Sequence, residues 1–455
     1  MFCRRWGQIL ALSLVLAAGP ALAAPLKIAS FQADITPPLG SPLCDGLVEP
    51  AKKVVDPLSA RGIVLLGAGE PIVLCALDWV GVGNAGYDAW REQLARAAGT
   101  SPQRVALHSL HQHDAPGCDF DAETLLAEHG LSGAMFNPVF ARSAISHTAT
   151  ALAEAIRQPH AVTHLGLGTA KVEHVASNRR VMGPDGKVKA VRYSATKSAE
   201  VRAAPEGTID PLVRSVSFWD GETPLVSMTY YTTHPQSYYG MGDVSYDFVG
   251  MARTMRAREL PQVAHVHFNG ASGNVTAGKY NDGQKPNRPA LAGRLADGMR
   301  RAWQAMHKVP IQAEQIEWRS RYVLLPMSPR LNDQPALLKD LGNAKLRLGL
   351  RIRSARDLAW AHRTQAGHEI ELTCLKLGDA YLLHMPGELF VEYQLAAQQM
   401  RPSSFVGMAA YGDYGPGYIG TKISYSQGGY ETGPVSRVAP EVEDVLMPAM
   451  RELLR

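Results

Sequence analysis

Residues 105–117 read VALHSLHQHDAPG: an apolar run, then His108, His111 and His113, then Asp114 and a Pro-Gly turn. A short apolar run rich in β-branched residues that breaks into polar groups and glycine reads as a buried strand delivering a loop. The pattern recurs in LVSMTYYTTHPQS (225–237), VAHVHFNGASGNVT (263–276), AYLLHMPGE (380–388) and FVGMAAYGDYGPGY (405–418). In α/β proteins, sites gather at the carboxyl ends of strands, where loops converge. Five such endings predict one shared pocket.

The intervening sequence supports an α/β fold. Buried strands are expected at Gly62–Gly67, Ile72–Val80, Val105–Leu110, Val213–Trp219, Leu225–Tyr231, Val263–Phe268, Tyr381–His384 and Phe405–Ala410. Helical patterns alternate with them. Asn137 and Pro138 read as an N-cap and first helical position. Leu291, Leu295, Met299, Trp303 and Met306 form one helical stripe, and Leu337–Gln365 reads as an outer helix or helix pair. No internal repeat, low-complexity tract or linker divides the chain, so one domain over 24–455 is expected.

Residues 1–23 carry Arg4 and Arg5, an apolar stretch and Ala21-Leu22-Ala23, which reads as a secretory signal peptide. The expected destination is the periplasm or the exterior. Removing that segment takes two arginines and no acids, so the formal net charge falls from +4 to +2. That balance argues against a nucleic-acid partner. No later stretch reaches eighteen apolar residues, so no transmembrane anchor is expected. Cys75 and Cys374 sit in strand-like runs and read as packed thiols. Cys44 and Cys118 lie in turns, where an oxidising compartment permits a disulfide.

In an extended chain His111 and His113 point to one side, because side chains alternate. Alone, the HxH motif reads first as a polar turn of hydrogen-bonded histidines, and no HExxH or Cys/His spacing accompanies it. Other strand ends add candidates: His234 before Pro235, Glu388 at a turn before a helix, and Tyr418 and Tyr430 in glycine-rich loops. Two histidines, a carboxylate and one more oxygen make a zinc site with room for water. His108 reads as a packed or supporting histidine. His265 and His267 are the internal rivals for a metal pair, with core roles first. Asp114, Asp119, Asp121 and Glu123 read as a solvated acidic loop, or as the edge of a pocket mouth. Asp78 and Asp247 read as candidates for orienting site residues or for structural roles.

Taken together, ADITPP (33–38), HQHDAPG (111–117), SNRR (177–180), PDG (184–186) and IDPLVRSVSF (209–218) open an ordered series. THPQSYYG (233–240), VSYDFVGMAR (244–253), GASGNVT (270–276), MPGE (385–388), YIGT (418–421) and GGYETG (428–433) continue it. The series resembles the catalytic domain of the neutral/alkaline non-lysosomal ceramidases over nearly the whole mature chain. The resemblance implies a ceramidase-like domain of mixed β-sheets packed together and flanked by helices. It implies one Zn2+ per chain on His111, His234, Glu388 and Tyr418. His113 would act beside the metal, Arg179 would line the site, and Tyr430 would hydrogen-bond the carbonyl or tetrahedral intermediate. The implied reaction is hydrolysis of an N-acyl amide, ceramide or a related lipid amide, by zinc-activated water.

Departures from the family pattern bear on the substrate. Where the family carries GDxSP, this chain has GNVTA, so Thr276 stands for a serine and Asn274 for an aspartate. Threonine keeps a hydroxyl but is stiffer and more crowded, which suits attack by water better than a covalent route. Ser272 is not in a GxSxG elbow. Asn274-Val275-Thr276 is a sequon expected to be incidental if it lines a pocket. The family's C-terminal immunoglobulin-like domain has no counterpart here, which removes a reason to assign ceramide itself. Two further readings stay open: a zinc hydrolase of a non-lipid ester or amide such as a glycan or cell-wall component, and a metal-dead binding protein. A partner beyond the small-molecule or lipid substrate is not implied, apart from possible peripheral contact with a membrane.

Overall fold

The computed structural model describes residues 25–455, so the leader expected at 1–23 lies outside the described residues. All eight expected strands form, most within two residues of their expected ends. They belong to three mixed sheets, which strands at Lys27–Asp34, His160–Ala161, His164–Lys171, His307–Pro310, Ile316–Val323 and Ile370–Leu377 complete. His164–Lys171 escapes a hydrophobicity reading because Gly166 and Gly168 interrupt it. At Gly168 a Cβ would run into the Ala302 carbonyl, so the helix Asn287–Gln304 can pack closely there only on glycine.

The three sheets share one topology, although the sequence shows no repeat. In the N-terminal sheet, Lys27–Asp34, Ser59–Gly67 and Gly69–Leu77 run antiparallel. The helix Ala85–Ala98 then returns the chain to Val105–Ser109, which pairs parallel with Gly69–Leu77. The central sheet repeats this with His164–Lys171, Leu212–Asp220, Thr223–Tyr231, the helix Asp247–Glu259 and the parallel strand Ala264–Asn269. The C-terminal sheet repeats it with Ile316–Val323, Ile370–Leu377, Ala380–His384, the helix Val391–Met400 and the parallel strand Phe405–Ala409. The unit leaves no sequence period because the connecting loops differ in length and the strands need only alternate two apolar faces.

That alternation builds the core. Along Gly69–Leu77, Ile72, Leu74 and Ala76 face an inner cluster, while Val73, Cys75 and Leu77 face the helices outside. The inner cluster also takes Val226, Met228 and Tyr230 from the central sheet and Leu375, Leu377 and Leu382 from the C-terminal sheet. Three sheets thus enclose one shared core, and each has its own apolar layer beneath its helices. The helix Pro138–Ala155 covers the first sheet with the stripe Ala141, Ala144, Ile145, Thr148 and Leu152. Asn137 caps it as expected, accepting the Phe140 N–H at 3.0 Å. The stretch after 337 forms a helix pair, Gln334–Gly342 and Leu348–Gln365.

The carboxyl ends of the three parallel edge strands are hydrogen-bonded to one another. The Ser109 N–H donates to the Tyr411 carbonyl at 2.9 Å, and the Ala410 N–H to the Asn269 carbonyl at 2.9 Å. The Asn269 amide donates to the Leu110 carbonyl at 3.3 Å. The loops that leave these ends therefore start from one small region.

One open reading is decided here and one expectation is corrected. The cysteines Cys44, Cys75, Cys118 and Cys374 are all buried free thiols, with no disulfide between Cys44 and Cys118. The acidic stretch is neither solvated nor at a pocket mouth. Asp119 caps the helix Phe120–Glu128 and accepts the Asn84 amide at 2.7 Å, Glu123 is buried, and Asp121 faces Arg363.

Asp78, fully buried at the end of Gly69–Leu77, ties this frame to the histidine loop. It accepts two bonds from Arg253, at 2.8 and 2.7 Å, and one from the Gln112 amide at 3.0 Å. Burial works against the Asp78 anion, and the Arg253 guanidinium, with the Ser59 hydroxyl and Arg61, more than offsets it, holding the carboxyl below its ordinary value. Asp78→Ala leaves a buried, unpaired guanidinium and is expected to cost about 3–5 kcal/mol in denaturant unfolding. A depressed native pKa contributes stability above the unfolded value near ~4 and loses it as pH falls toward the native one. The difference between parent and variant should therefore shrink only below about pH 4.

Candidate metal centre

His111 leaves the strand Val105–Ser109 in a left-handed conformation, φ 72°. The extended-chain reason for pairing His111 with His113 is therefore wrong: the strand has ended, and a loop makes the approach. The Gln112 side chain is drawn away to Asp78. The rings of His111 and His113 come together edge to face, 4.7 Å apart. His234 follows the strand Thr223–Tyr231, and Glu388 and Tyr418 sit opposite each other in a two-residue parallel ladder.

His111 Nδ1 lies 2.6 Å from the Val80 carbonyl, and His234 Nδ1 lies 2.7 Å from the Ser272 carbonyl. A carbonyl can only accept, so each Nδ1 carries the proton and each Nε2 presents a lone pair. Both lone pairs face Glu388 Oε2, at 3.2 Å each, and a carboxylate is also acceptor-only. Burial pushes the His234 imidazole down to about 4, consistent with a neutral ring. Among the described residues, neither His111 Nε2 nor Glu388 Oε2 has a hydrogen-bond partner. The Tyr418 hydroxyl lies 3.4 Å from His234 Nε2.

Converging acceptors repel one another unless a cation joins them. Tetrahedral zinc with bonds of about 2.0–2.1 Å sets its donor atoms roughly 3.3 Å apart, which the 3.2, 3.2 and 3.4 Å separations match. Two imidazoles, a carboxylate and a phenol suit a zinc-class divalent ion. The nitrogens of His111, His113 and His234 also lie within 4.8 Å of one another, which makes His113 a further donor at hand. Its Nδ1 is 3.1 Å from the His111 carbonyl, so its Nε2 is likewise an acceptor.

The surrounding shell contains residues that the sequence reading missed. The Tyr414 hydroxyl donates to Glu388 Oε1 at 2.8 Å and fixes the carboxylate. The Tyr411 ring stacks on His111 at 4.6 Å, and its hydroxyl is 2.7 Å from Ser272 Oγ. Arg179 donates to the Tyr418 oxygen at 3.0 Å and to the Gly273 carbonyl at 3.2 Å. Burial raises the Tyr418 phenol well above its ordinary range, and Arg179 opposes that. Glu431, fully buried, stands between Arg179 and Arg180 at 3.4 and 3.3 Å. Its only sequence signal is adjacency to Tyr430.

The centre opens into a cleft with two arms that share His113, Tyr239, Tyr418 and Tyr430. One, about 200 Å³, runs along Leu47, Val48, Ile352, Arg353 and Arg356. The other, about 300 Å³, runs along Arg179, Tyr193, Ser194, Gln236 and Ser237. Tyr430, 38% exposed, stands at the mouth with its ring 5.7 Å from Tyr418.

Other candidates fall elsewhere. Thr276 is fully buried, and its hydroxyl bonds the Arg192 carbonyl at 3.3 Å and the Gly278 N–H at 3.1 Å, outside both arms. Asn274 is buried, with its amide on Glu392 and its carbonyl on the Val391 N–H, so its sequon is incidental. His108 bonds the Ala410 carbonyl at 2.8 Å behind the site. His265 and His267 line up beside Arg253 and Arg256, whose charges disfavour a metal. Asp247 accepts the Ser237 and Phe248 N–H groups and faces Arg288, ordering the loop after His234.

Fold and site together define a class. The architecture is a neutral ceramidase-like fold, with a candidate metal centre at the carboxyl ends of its strands. A solved ceramidase complexed with C2 matches with a TM-score of 0.67 at 16% identity, over 94% of this chain and 75% of that one. The neutral ceramidase from Pseudomonas aeruginosa matches with a TM-score of 0.66 at 17% identity, over 95% and 74%. No family model and no curated protein matches the chain.

About one divalent ion per chain is expected by elemental analysis, with none retained in His111→Ala. Tyr414→Phe frees Glu388 to rotate and should weaken zinc about 10- to 100-fold in chelator competition. Unchanged affinity in both variants would place the ion elsewhere.

Proposed function

We propose that the chain is an exported zinc-dependent hydrolase of N-acyl amides, with a lipid amide as its substrate. The convergence of His111 Nε2, His234 Nε2 and Glu388 Oε2 carries this reading. The neighbours' fold adds to it, since both are described as ceramidases. His111, His234, Glu388 and Tyr418 would hold the ion. When bound, zinc lowers the pKa of water and polarises a carbonyl oxygen.

The chain's own groups supply the rest. His113 faces both arms of the cleft with an acceptor Nε2, placed to take a proton from water and pass it to the departing amine nitrogen. Tyr430 lines both arms at the mouth, and its phenol is the candidate donor to the oxygen that gains negative charge. Arg179 and Tyr414 hold the Tyr418 and Glu388 oxygens in place. Thr276 takes no chemical part, because its hydroxyl is bound to the main chain on both sides. The apolar wall at Leu47, Val48 and Ile352 suits an acyl chain.

Release of fatty acid from N-acyl amides should require zinc, cease on chelation and return on readdition. His113→Ala should keep its metal while kcat falls on the order of 10²- to 10⁴-fold. Thr276→Val should keep kcat within about threefold of the parent, because the lost hydroxyl bonds only the main chain outside both arms, while stability falls by about 1–3 kcal/mol from the buried Gly278 N–H left without an acceptor. A zinc-loaded parent that cleaves no N-acyl amide would sink the proposal. A large loss in Thr276→Val with metal retained would overturn the role given to His113 and water.

A further inference from the structure

The cleft arm along the helix Leu348–Gln365 has an unspent positive charge. Its lining acids are Asp45 and Glu388. Asp45 is paired with Arg356 at 2.6 Å, and Glu388 is turned to the two histidines and Tyr414. Of the lining arginines, Arg356 is held by Asp45 and Arg437 by Asp357 at 2.7 Å. Arg353 remains. It is half-buried in the wall between Ile352 and Arg356, and among the described residues no ion pair or hydrogen bond reaches its guanidinium.

The other arm differs. Its one lining guanidinium, Arg179, is already engaged by Glu431, the Gly273 carbonyl and the Tyr418 oxygen. With a divalent ion at the centre, the arm along the helix carries net positive charge and one guanidinium with five free donors. Such a fork matches a carboxylate in a bidentate pair, which a neutral headgroup cannot offer.

We infer that Arg353 is a specificity residue, and that the amide this site takes bears a carboxylate on the arm lying along the helix Leu348–Gln365. This rests on the hydrolase reading above and narrows it from lipid amides at large to anionic ones. The carboxylate has two possible origins. It can belong to the amine part, as in an N-acyl amino acid, or to the far end of the acyl part, as in a dicarboxylic monoamide.

Three substrates separate these cases on the zinc-loaded chain: N-dodecanoylglycine, the monoethanolamide of dodecanedioic acid, and neutral N-dodecanoylethanolamine. One of the two anions should exceed the neutral amide in kcat/KM. In Arg353→Met that preference should fall about 10- to 100-fold, and Arg353→Lys should recover part of it. The sulfonamide analogues of all three resist hydrolysis and report binding by calorimetry, and their affinity ratios should move the same way. Hydrolysis with an unchanged ratio in Arg353→Met would overturn the inference and leave the hydrolase standing. No hydrolysis, with analogue preference lost in Arg353→Met, would keep the anion receptor and overturn the hydrolase.

Discussion

The structure depends on three strand ends bound to each other. The bonds from Ser109 to Tyr411, from Ala410 to Asn269 and from Asn269 to Leu110 bring the edges of three sheets to one place. Each sheet could close its own outer layer alone, since each has an apolar cluster beneath its helices. The inner cluster, two main-chain bonds and the Asn269 side-chain amide bind them to a shared core. A buried N–H or C=O without a partner is costly, so the strand ends cannot separate without leaving several unmet. His111, Tyr411, Tyr414 and Tyr418 lie in chain segments that begin there, and His234 and Glu388 follow the adjoining strands Thr223–Tyr231 and Ala380–His384.

The three units place different side chains on nearly equivalent positions. Three or four residues past the third strand of each unit stand Val80, His234 and Glu388; two or three past the fourth stand His111, Ser272 and Tyr411. In the first unit the Val80 carbonyl holds the imidazole of His111. In the second the Ser272 carbonyl holds that of His234. Carbonyl and histidine have exchanged places between units, and the result is two lone pairs aimed at the carboxylate of the third. A repeated main chain supplies the fixed acceptors, and unlike side chains supply the donor set.

Much of this was legible in the sequence, for reasons that particular residues make plain. Ile72–Leu77 is a continuous apolar run and Val226–Tyr231 alternates apolar residues with Ser227 and Thr229, so both could be found without a partner in view. The polar bursts after them marked His111, His234, Glu388 and Tyr418 before any geometry was known. What could not be read depends on long-range closure. The strand at 164–171 hides behind two glycines, one of which, Gly168, makes room for a helix more than 130 residues away. Tyr411 and Tyr414 look like ordinary aromatic residues of a turn until the ring stack and the Glu388 bond appear. The acidic run after 113 looked solvated because nothing local reveals that Asn84 and Arg363 will meet it. Backbone conformation was the other blind spot, since His111 reaches its place through a left-handed turn that alternation does not foresee.

The exchange of carbonyl and imidazole between the first two units bears on how such a site can change over evolutionary time. Because the main chain of the first two units offers an acceptor at the strand end, a histidine at a neighbouring strand end finds its tautomer set from the outset. Residues of the candidate site can therefore be acquired, moved or lost one unit at a time, while the other two keep their folds and their shares of the core. A frame of this kind separates inheritance of shape from inheritance of chemistry, which is how two chains about one-sixth identical can share the first closely.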